Sequence, residues 1–419
     1  MTTRKPRSFS LSEGRISILS EWRVPLSEPD YGVEEEAAVT RVLRSKWLSM
    51  GPEVQSFEKE FAEFLGVKHA VGVSSGTAAL HLSYLALGLG PEDEIIQPAI
   101  NFVAAANMSV AVGATPVFAD IISLHEPTIC PAEVERKVTP RTKAVVVMHY
   151  GGYLCRISDI SEICRRHSLA LIEDACHAVG AHYRDSDQES PYRMKAGNLG
   201  DIGCFSFFSN KNLATGEGGM AVTNRDDLAE RLRFLRSHGM TTLSWDRHQG
   251  DAATYDVMLH GFNYRFDEIR AALGRTQLKK LERNNQLRKQ LVSLYRRELA
   301  ALPGWIVPFD DSAGYGSYHL MVAVAPDEQM RGRVMKRLKE VGIQTSMHYP
   351  CLSDLKAFRR FAACDLRNSC SFSRRAITLP LYPTMTASQV EEVCSAIFSV
   401  AAQDEITEVS TGSSRGDSR

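Results

Sequence analysis

The chain has 419 residues, 44% hydrophobic and 24% charged, the balance of an ordinary globular protein long enough for two domains. Its 49 basic and 50 acidic residues nearly cancel, so no overall field points to nucleic acid or to an anionic membrane surface, and small molecules and protein partners remain. The 9 cysteines are odd in number, with no Cys-x-x-Cys pair and no Cys/His cluster at zinc spacing; they read as reduced thiols in the cytosol, with no metal expected.

In chain order, Met1 to Arg7 carries basic side chains with no apolar signal core behind them, and no run approaches the roughly 18 apolar residues of a membrane span. Residues 1–20 and the polar, aperiodic stretch 403–419 are expected to be flexible. From Glu35 to Leu65 apolar residues recur at helical spacing, interrupted at Ser49-Met50-Gly51-Pro52, which predicts two helices. Apolar runs rich in valine and isoleucine then predict seven strands: His69–Val73, Glu94–Gln97, Thr115–Asp120, Ala144–His149, Ala170–Glu173, Cys204–Phe208 and Gly219–Thr223. Helical patterns at Ala78–Leu87, Ala104–Val112 and Ile157–His167 lie between several of them, the signature of a parallel or mixed sheet covered on both faces. Ligands of such sheets bind beyond the carboxyl ends of the strands. A long helix from Asp267 through Gln290, continuing toward Leu302, leads into a smaller α/β unit with strands at His319–Ala325 and Gly342–Ser346 and helices at Met330–Val341 and Ala387–Val400.

Chemistry concentrates at strand ends. Lys211 follows an apolar strand and sits among Ser209, Asn210, Asn212, Thr215 and glycines. An arbitrary lysine is a solvated surface charge, but one enclosed this way has a depressed pKa and can form a Schiff base. Asp174 ends another buried strand, where it is either a helix N-cap or an acid paired with a protonated pyridine nitrogen. His177, three residues on, is either a structural histidine or a neighbour of the same ring. Val73-Ser74-Ser75-Gly76-Thr77 is a strand running through small residues into a helix start, which caps the helix and also makes an anion site. The glycines at 216, 218 and 219 lack the G-x-G-x-x-G order of a dinucleotide loop.

With these residues assembled, the chain resembles the DegT/DnrJ/StrS nucleotide-sugar aminotransferases, among the fold-type I pyridoxal phosphate enzymes. The likeness runs from about Val24 to Ala401. It is carried by Gly51-Pro52-Glu53-Val54, Ser75-Gly76-Thr77-Ala78-Ala79-Leu80-His81-Leu82, Glu173-Asp174-Ala175-Cys176-His177-Ala178, Gly200 through Gly219, Gly261-Phe262-Asn263-Tyr264-Arg265 and Leu379-Pro380-Leu381-Tyr382-Pro383. The resemblance implies a three-layer αβα domain over residues 31–280, with a mostly parallel seven-stranded sheet, and a smaller C-terminal α/β domain over 281–402. It also implies pyridoxal 5'-phosphate held by Lys211, with Asp174 on the pyridine nitrogen and His177 near the phenolic oxygen, where many relatives carry glutamine. Phe102 would stack on the ring, Gly76, Thr77 and Ser206 would hold the phosphate, and Asn263 would reach it from the neighbouring subunit of a homodimer. His319, His348 and Tyr349 fall in segments that line the sugar-nucleotide entrance. Asn101 departs from the threonine frequent in relatives.

The activity so implied is transfer of an amino group from L-glutamate to a keto sugar linked to a nucleotide, in the cytoplasm, by a ping-pong mechanism with Lys211 moving the proton. A sugar dehydratase of the same family is opposed by Lys211, since such relatives carry histidine there. A keto-cyclitol acceptor and a catalytically silent scaffold of the same fold are the other readings.

Overall fold

A computed structural model describes residues 22–183, 194–242, 244–250, 254–309, 314–362 and 365–412; the expectation for residues 1–20 falls outside them. Among the described residues eleven strands occur in chain order: β1 His69–Val73, β2 Glu94–Pro98, β3 Thr115–Ala119, β4 Thr142–Met148, β5 Ala170–Asp174, β6 His182–Tyr183, β7 Ile202–Ser206, β8 Gly219–Thr223, β9 Gly314–Tyr315, β10 Met321–Val324 and β11 Ala376–Leu379. Seven form one sheet in the order β1-β8-β7-β5-β4-β2-β3. β8 is antiparallel to both neighbours, β1 and β7, and the other pairings are parallel. The valine and isoleucine side chains of β2, β4 and β5 are almost wholly buried, as expected of parallel strands covered on both faces.

The predicted strands at 69–73 and 219–223 match residue for residue. The run predicted at Cys204–Phe208 is displaced: β7 ends at Ser206, and Phe207 already belongs to the following loop. Phe207 is apolar because it joins an aromatic cluster, with ring centroids 5.4 Å from Phe57 and 5.6 Å from Phe61, not because it continues the ladder. Gly342–Ser346 is likewise no strand. It makes single bridges, Ile343 to Val24 and Ser346 to Thr378, while Gln344 Oε1 accepts the Leu26 N–H at 2.9 Å. The antiparallel partner of β10 is instead β11, which follows a short helix, Arg367–Arg375.

Helix boundaries follow capping chemistry. Pro52 opens the helix Pro52–Leu65 and Gly66, at φ 74°, closes it in the left-handed region. The Glu268 carboxylate accepts from the N–H groups of Gly51, Glu53 and Val54 at 2.9, 2.9 and 3.0 Å, satisfying donors that a helix start leaves free. Asp267 caps the long helix Glu268–Leu299 through Arg270 N–H. The last helix, Ala387–Gly412, runs past Gln403 into the stretch predicted flexible; no glycine or proline interrupts it before Gly412, so propagation continues once the turn packed against the core has nucleated it. One apolar cluster joins Ile100, Phe118 and Met148 of the large sheet's side to Tyr295, Val322, Ile377 and Ile397.

At the end of β5 the pleat sends Glu173 and Asp174 to opposite faces. Glu173 is fully buried and accepts from His149 Nε2 at 2.9 Å and from the N–H groups of Gly197, Leu199 and Gly200 at 2.8, 2.6 and 2.6 Å. It thereby holds the segment that enters β7. Glu173→Gln is expected to lower the unfolding free energy by about 3 kcal/mol, measured as a reduced midpoint in urea with an unchanged slope.

Candidate active site

A cavity of about 350 Å³ opens at the carboxyl ends of β4, β5 and β7 and the amino end of the helix Gly76–Ala86; Gly76, Thr77, Phe102, Asp174, Ser206 and Lys211 are among the residues that line it. A larger cleft of about 660 Å³ lies between the Glu63–Gly66 turn and the long helix near Lys289. It contains none of the residues predicted to act on a cofactor, all of which except Asn263 line the smaller one.

Lys211 reaches the cavity from a tight loop after β7. Its N–H donates to Phe208 O at 2.9 Å, and the loop is tied at its base by Phe207 N–H to Gly218 O and Thr215 N–H to Phe207 O, both 2.8 Å. Gly218, at φ +156°, sits where a Cβ would approach Phe266 Cε2 to 2.5 Å, so only glycine fits the base of the loop. The amine faces the cavity, and its Nζ lies 3.5 Å from His319 Nε2. Burial depresses the Lys211 pKa, while Cys176 and Asp174 act in the opposite direction.

Asp174 is buried and ends β5; its Oδ1 accepts the Cys176 N–H at 3.2 Å. Turns rather than a helix follow it, so it is not a helix cap. Ser75 is the cap instead, with its Oγ accepting from Ala78 N–H at 3.1 Å, which leaves the first N–H groups of that helix turned toward the cavity's end. A Cβ on Gly76 would come within 2.8 Å of Ser206 Cβ and 3.0 Å of Cys176 Sγ; the backbone here is packed as closely as a glycine permits.

His177 is buried with Nε2 2.8 Å from the Tyr349 hydroxyl, its ring centroid is 4.3 Å from that of His319, and its Nδ1 has no partner among the described residues. His348 Nδ1 lies 2.9 Å from Thr378 Oγ1. Phe102 is half-exposed on the cavity wall, its ring 5.8 Å from that of Tyr349, and Asn101 Oδ1 accepts the Phe102 N–H at 2.7 Å. The predicted site residues line this cavity except His319, which lies beside Lys211 Nζ without lining it, and Asn263, which is exposed on the segment bridged to Ser237. Sequence reasoning assigned no role to Phe208, Asn210 and Glu217 on the wall, or to Asn212 behind it. Their adjacency to Lys211 was the available signal. Outside the cavity, Cys351, Asp354 and Cys370 bring ligating atoms within 4.8 Å of one another, a grouping that their sequence spacing does not show.

An enclosed amine, a buried carboxylate, a helix start packed too tightly for any side chain and an unpartnered imidazole nitrogen fit a phosphorylated pyridine aldehyde. Together with the sheet order, they define a fold-type I pyridoxal phosphate enzyme. The chain belongs to the DegT/DnrJ/EryC1/StrS aminotransferase family, which it matches over residues 29–398, and it is a sugar aminotransferase of that pyridoxal phosphate-dependent family. It is 40% identical over 382 residues to the spore coat polysaccharide biosynthesis protein SpsC of Bacillus subtilis (strain 168), covering 89% of this chain and 96% of that protein. The crystal structure of the aminotransferase TlmJ from Streptoalloteichus hindustanus superposes with a TM-score of 0.83 at 33% identity, over 91% of this chain and 99% of that one. DesI, solved in the presence of its TDP-sugar product, superposes with a TM-score of 0.80 at 30% identity, over 93% and 95%.

The imidazoles give a pH signature. Burial, followed by the neighbouring Lys211, lowers the His348 pKa to about 4; burial likewise leads the lowering at His177 and His319. The unfolded chain has histidines near 6.5, so on acidification it binds protons before the folded protein does. Stability contributed by the neutral rings is present above about pH 6.5 and is lost as the pH falls toward about 4. The urea midpoint is expected to drop between neutrality and pH 5, and His348→Gln to shallow that drop.

Proposed function

We propose that this chain transfers an amino group from L-glutamate to the keto carbon of a nucleotide-linked hexose, using pyridoxal 5'-phosphate bound in the 350 Å³ cavity. The observation that carries the reading is the convergence of Lys211, Asp174 and the amino end of the helix Gly76–Ala86 on that one space. The bound cofactor supplies an electron sink and carries the amino group between the two half-reactions. Lys211 would anchor it through Nζ and, as a free amine, would take the proton from the donor's α-carbon at that atom and, over the two half-reactions, deliver one to the acceptor's keto carbon. Burial favours the neutral amine that this role needs. Asp174 would keep the pyridine nitrogen protonated, and His177 would serve the phenolic oxygen. Phe102 would cover the ring and exclude water. Backbone N–H groups at Gly76 and Thr77, with the Ser206 hydroxyl, would hold the phosphate.

The similarity to SpsC, named for spore coat polysaccharide biosynthesis, and to DesI with its TDP-sugar supports a nucleotide-sugar acceptor destined for a surface polysaccharide. His348 and Tyr349, which line the same cavity, face the entering sugar. A large cofactor-binding unit over 31–280 and a smaller unit over 281–402 both contribute, and a second subunit supplies Asn263 to the phosphate. No described helix is long and apolar enough to cross a membrane, and the proposal places the enzyme in the cytoplasm as a homodimer.

The test is the absorbance of the cofactor-loaded protein before and after excess L-glutamate. A shift from the lysine-bound band to the aminated form is expected in the wild type, followed by its reversal on adding a nucleotide-linked keto sugar. Lys211→Ala is expected to slow turnover at least about 1,000-fold. A cofactor band indifferent to glutamate would remove the donor assignment, and reversal by a free keto-cyclitol alone would remove the acceptor assignment.

A further inference from the structure

Lys211 Nζ has a single hydrogen-bonding side chain beside it among the described residues, His319 Nε2 at 3.5 Å, and the state of that nitrogen follows from atoms well behind the cavity. Ser317 O, a carbonyl that only accepts, lies 2.6 Å from Asn212 Nδ2, so that atom is the amide nitrogen. Asn285 is oriented in the same manner by Val179 O, 3.1 Å from its Nδ2, which turns its Oδ1 to Asn212 Nδ2 at 2.8 Å. Two backbone carbonyls therefore fix both amides. Asn212 Oδ1 is left as an acceptor 3.0 Å from His319 Nδ1, and Nδ1 must carry the proton. His319 is buried, and its burial and the neighbouring His177 and Lys211 keep the ring neutral. A neutral ring protonated at Nδ1 has a bare lone pair at Nε2, and that lone pair points at the lysine.

Resting on the lysine-dependent transfer proposed above, we infer that His319 is a positioning residue for Lys211 rather than a sugar contact. It ends the chain Asn285–Asn212–His319, which holds one N–H of Lys211 and so directs the amine's remaining valence into the cavity. An amine that donates to a fixed acceptor no longer rotates freely about its last bond, so its lone pair meets the substrate carbon without a search. The 3.5 Å separation is long for a hydrogen bond and of the kind that tightens when a site fills. The other titratable groups around the amine, Asp174, Cys176, His177, His348, Glu217 and Tyr349, line the same cavity. None of them forms a hydrogen bond to Nζ among the described residues.

The first readout needs neither cofactor nor substrate. Cofactor-free protein is labelled with acetic anhydride over a pH series, and acetylation of Lys211 is followed by peptide mass spectrometry. His319→Phe keeps a ring and removes the acceptor, so the ammonium loses its partner and the labelling midpoint is expected to fall by about one pH unit. His319→Gln, which retains an acceptor oxygen, is expected to restore it. Asn285→Ala, outside this cavity, removes the far anchor and is expected to move the midpoint in the same direction by less. The second readout is the kinetic split. In His319→Phe, kcat is expected to fall about 100-fold with KM for the keto sugar unchanged. A midpoint unmoved in all three variants overturns the inference, as does a raised KM with kcat retained, which returns His319 to the sugar. If no keto sugar is turned over, the proposed function fails while the labelling series still decides this point.

Discussion

Two consecutive carboxylates at the end of one parallel strand set the terms for the rest of the molecule. Glu173 and Asp174 are both buried, and a buried carboxylate is tolerated only when donors replace its lost water. The pleat assigns the two residues to opposite faces, and the fold treats them differently. Glu173 receives one imidazole and three backbone N–H groups, and in return fixes the entry to β7, whose far end carries Lys211. Asp174 accepts from the Cys176 N–H and keeps its remaining acceptor capacity toward the cavity. Structural satisfaction of one carboxylate is what permits the other to be held in reserve for a ligand.

The electrostatics of the cavity follow from that reserve. Among its lining residues Lys211 is the only lysine or arginine, and the three histidines around it are held neutral chiefly by burial. An additional cation there would favour loss of the lysine's proton but would also compete with it for the anionic groups of a ligand. Another part of the wall presents instead the backbone dipoles at the start of the helix Gly76–Ala86 and small hydroxyl residues. Such a site attracts an anion through oriented N–H groups without placing a fixed positive side chain next to the reacting amine. Acid and anion are thus served by separate elements, one a strand end and one a helix start, both brought to the same edge by the sheet order.

Much of this was legible because it is local. The apolar runs of β1, β2, β4 and β8, the turn at Ser75-Gly76-Thr77, the end of β5 at Asp174 and the loop that carries Lys211 are each written within a few neighbouring residues. Phe207 misled because burial in an aromatic cluster and burial in a strand leave the same apolar mark in a sequence. The predicted strand at Gly342–Ser346 failed for a different cause: the segment pairs only at isolated points, and pairing is a tertiary property. Beyond the adjacency of Asn212 to Lys211, the network behind the amine had no signature. Asn212 reaches Asn285 across 73 positions, Ser317 across 105 and His319 across 107, and asparagines at such separations carry no period or motif that marks them as partners.

What a single chain leaves uncovered completes the argument about how the site is finished. Phe102 and Phe208 line the cavity yet are 51% and 44% exposed, so two large rings stand at one mouth with water on one side. Near Asn263, the segment holding Tyr255, Val257 and Met258 exposes those side chains at 56%, 50% and 62%. Isolated large apolar groups are ordinary on a protein surface, but several on one short segment mark a surface that something covers. The segment is tied back to the body by bridges from Met240 to Val257 and from Ser237 to Asn263, so its exposed face is presented in a fixed form. The proposed cofactor would cover Phe102, and the homodimer proposed above would cover Tyr255, Val257 and Met258. In that proposed dimer the same docking would carry Asn263, absent from its own cavity, toward the partner's. One event would then bury the apolar surface and complete the anion site.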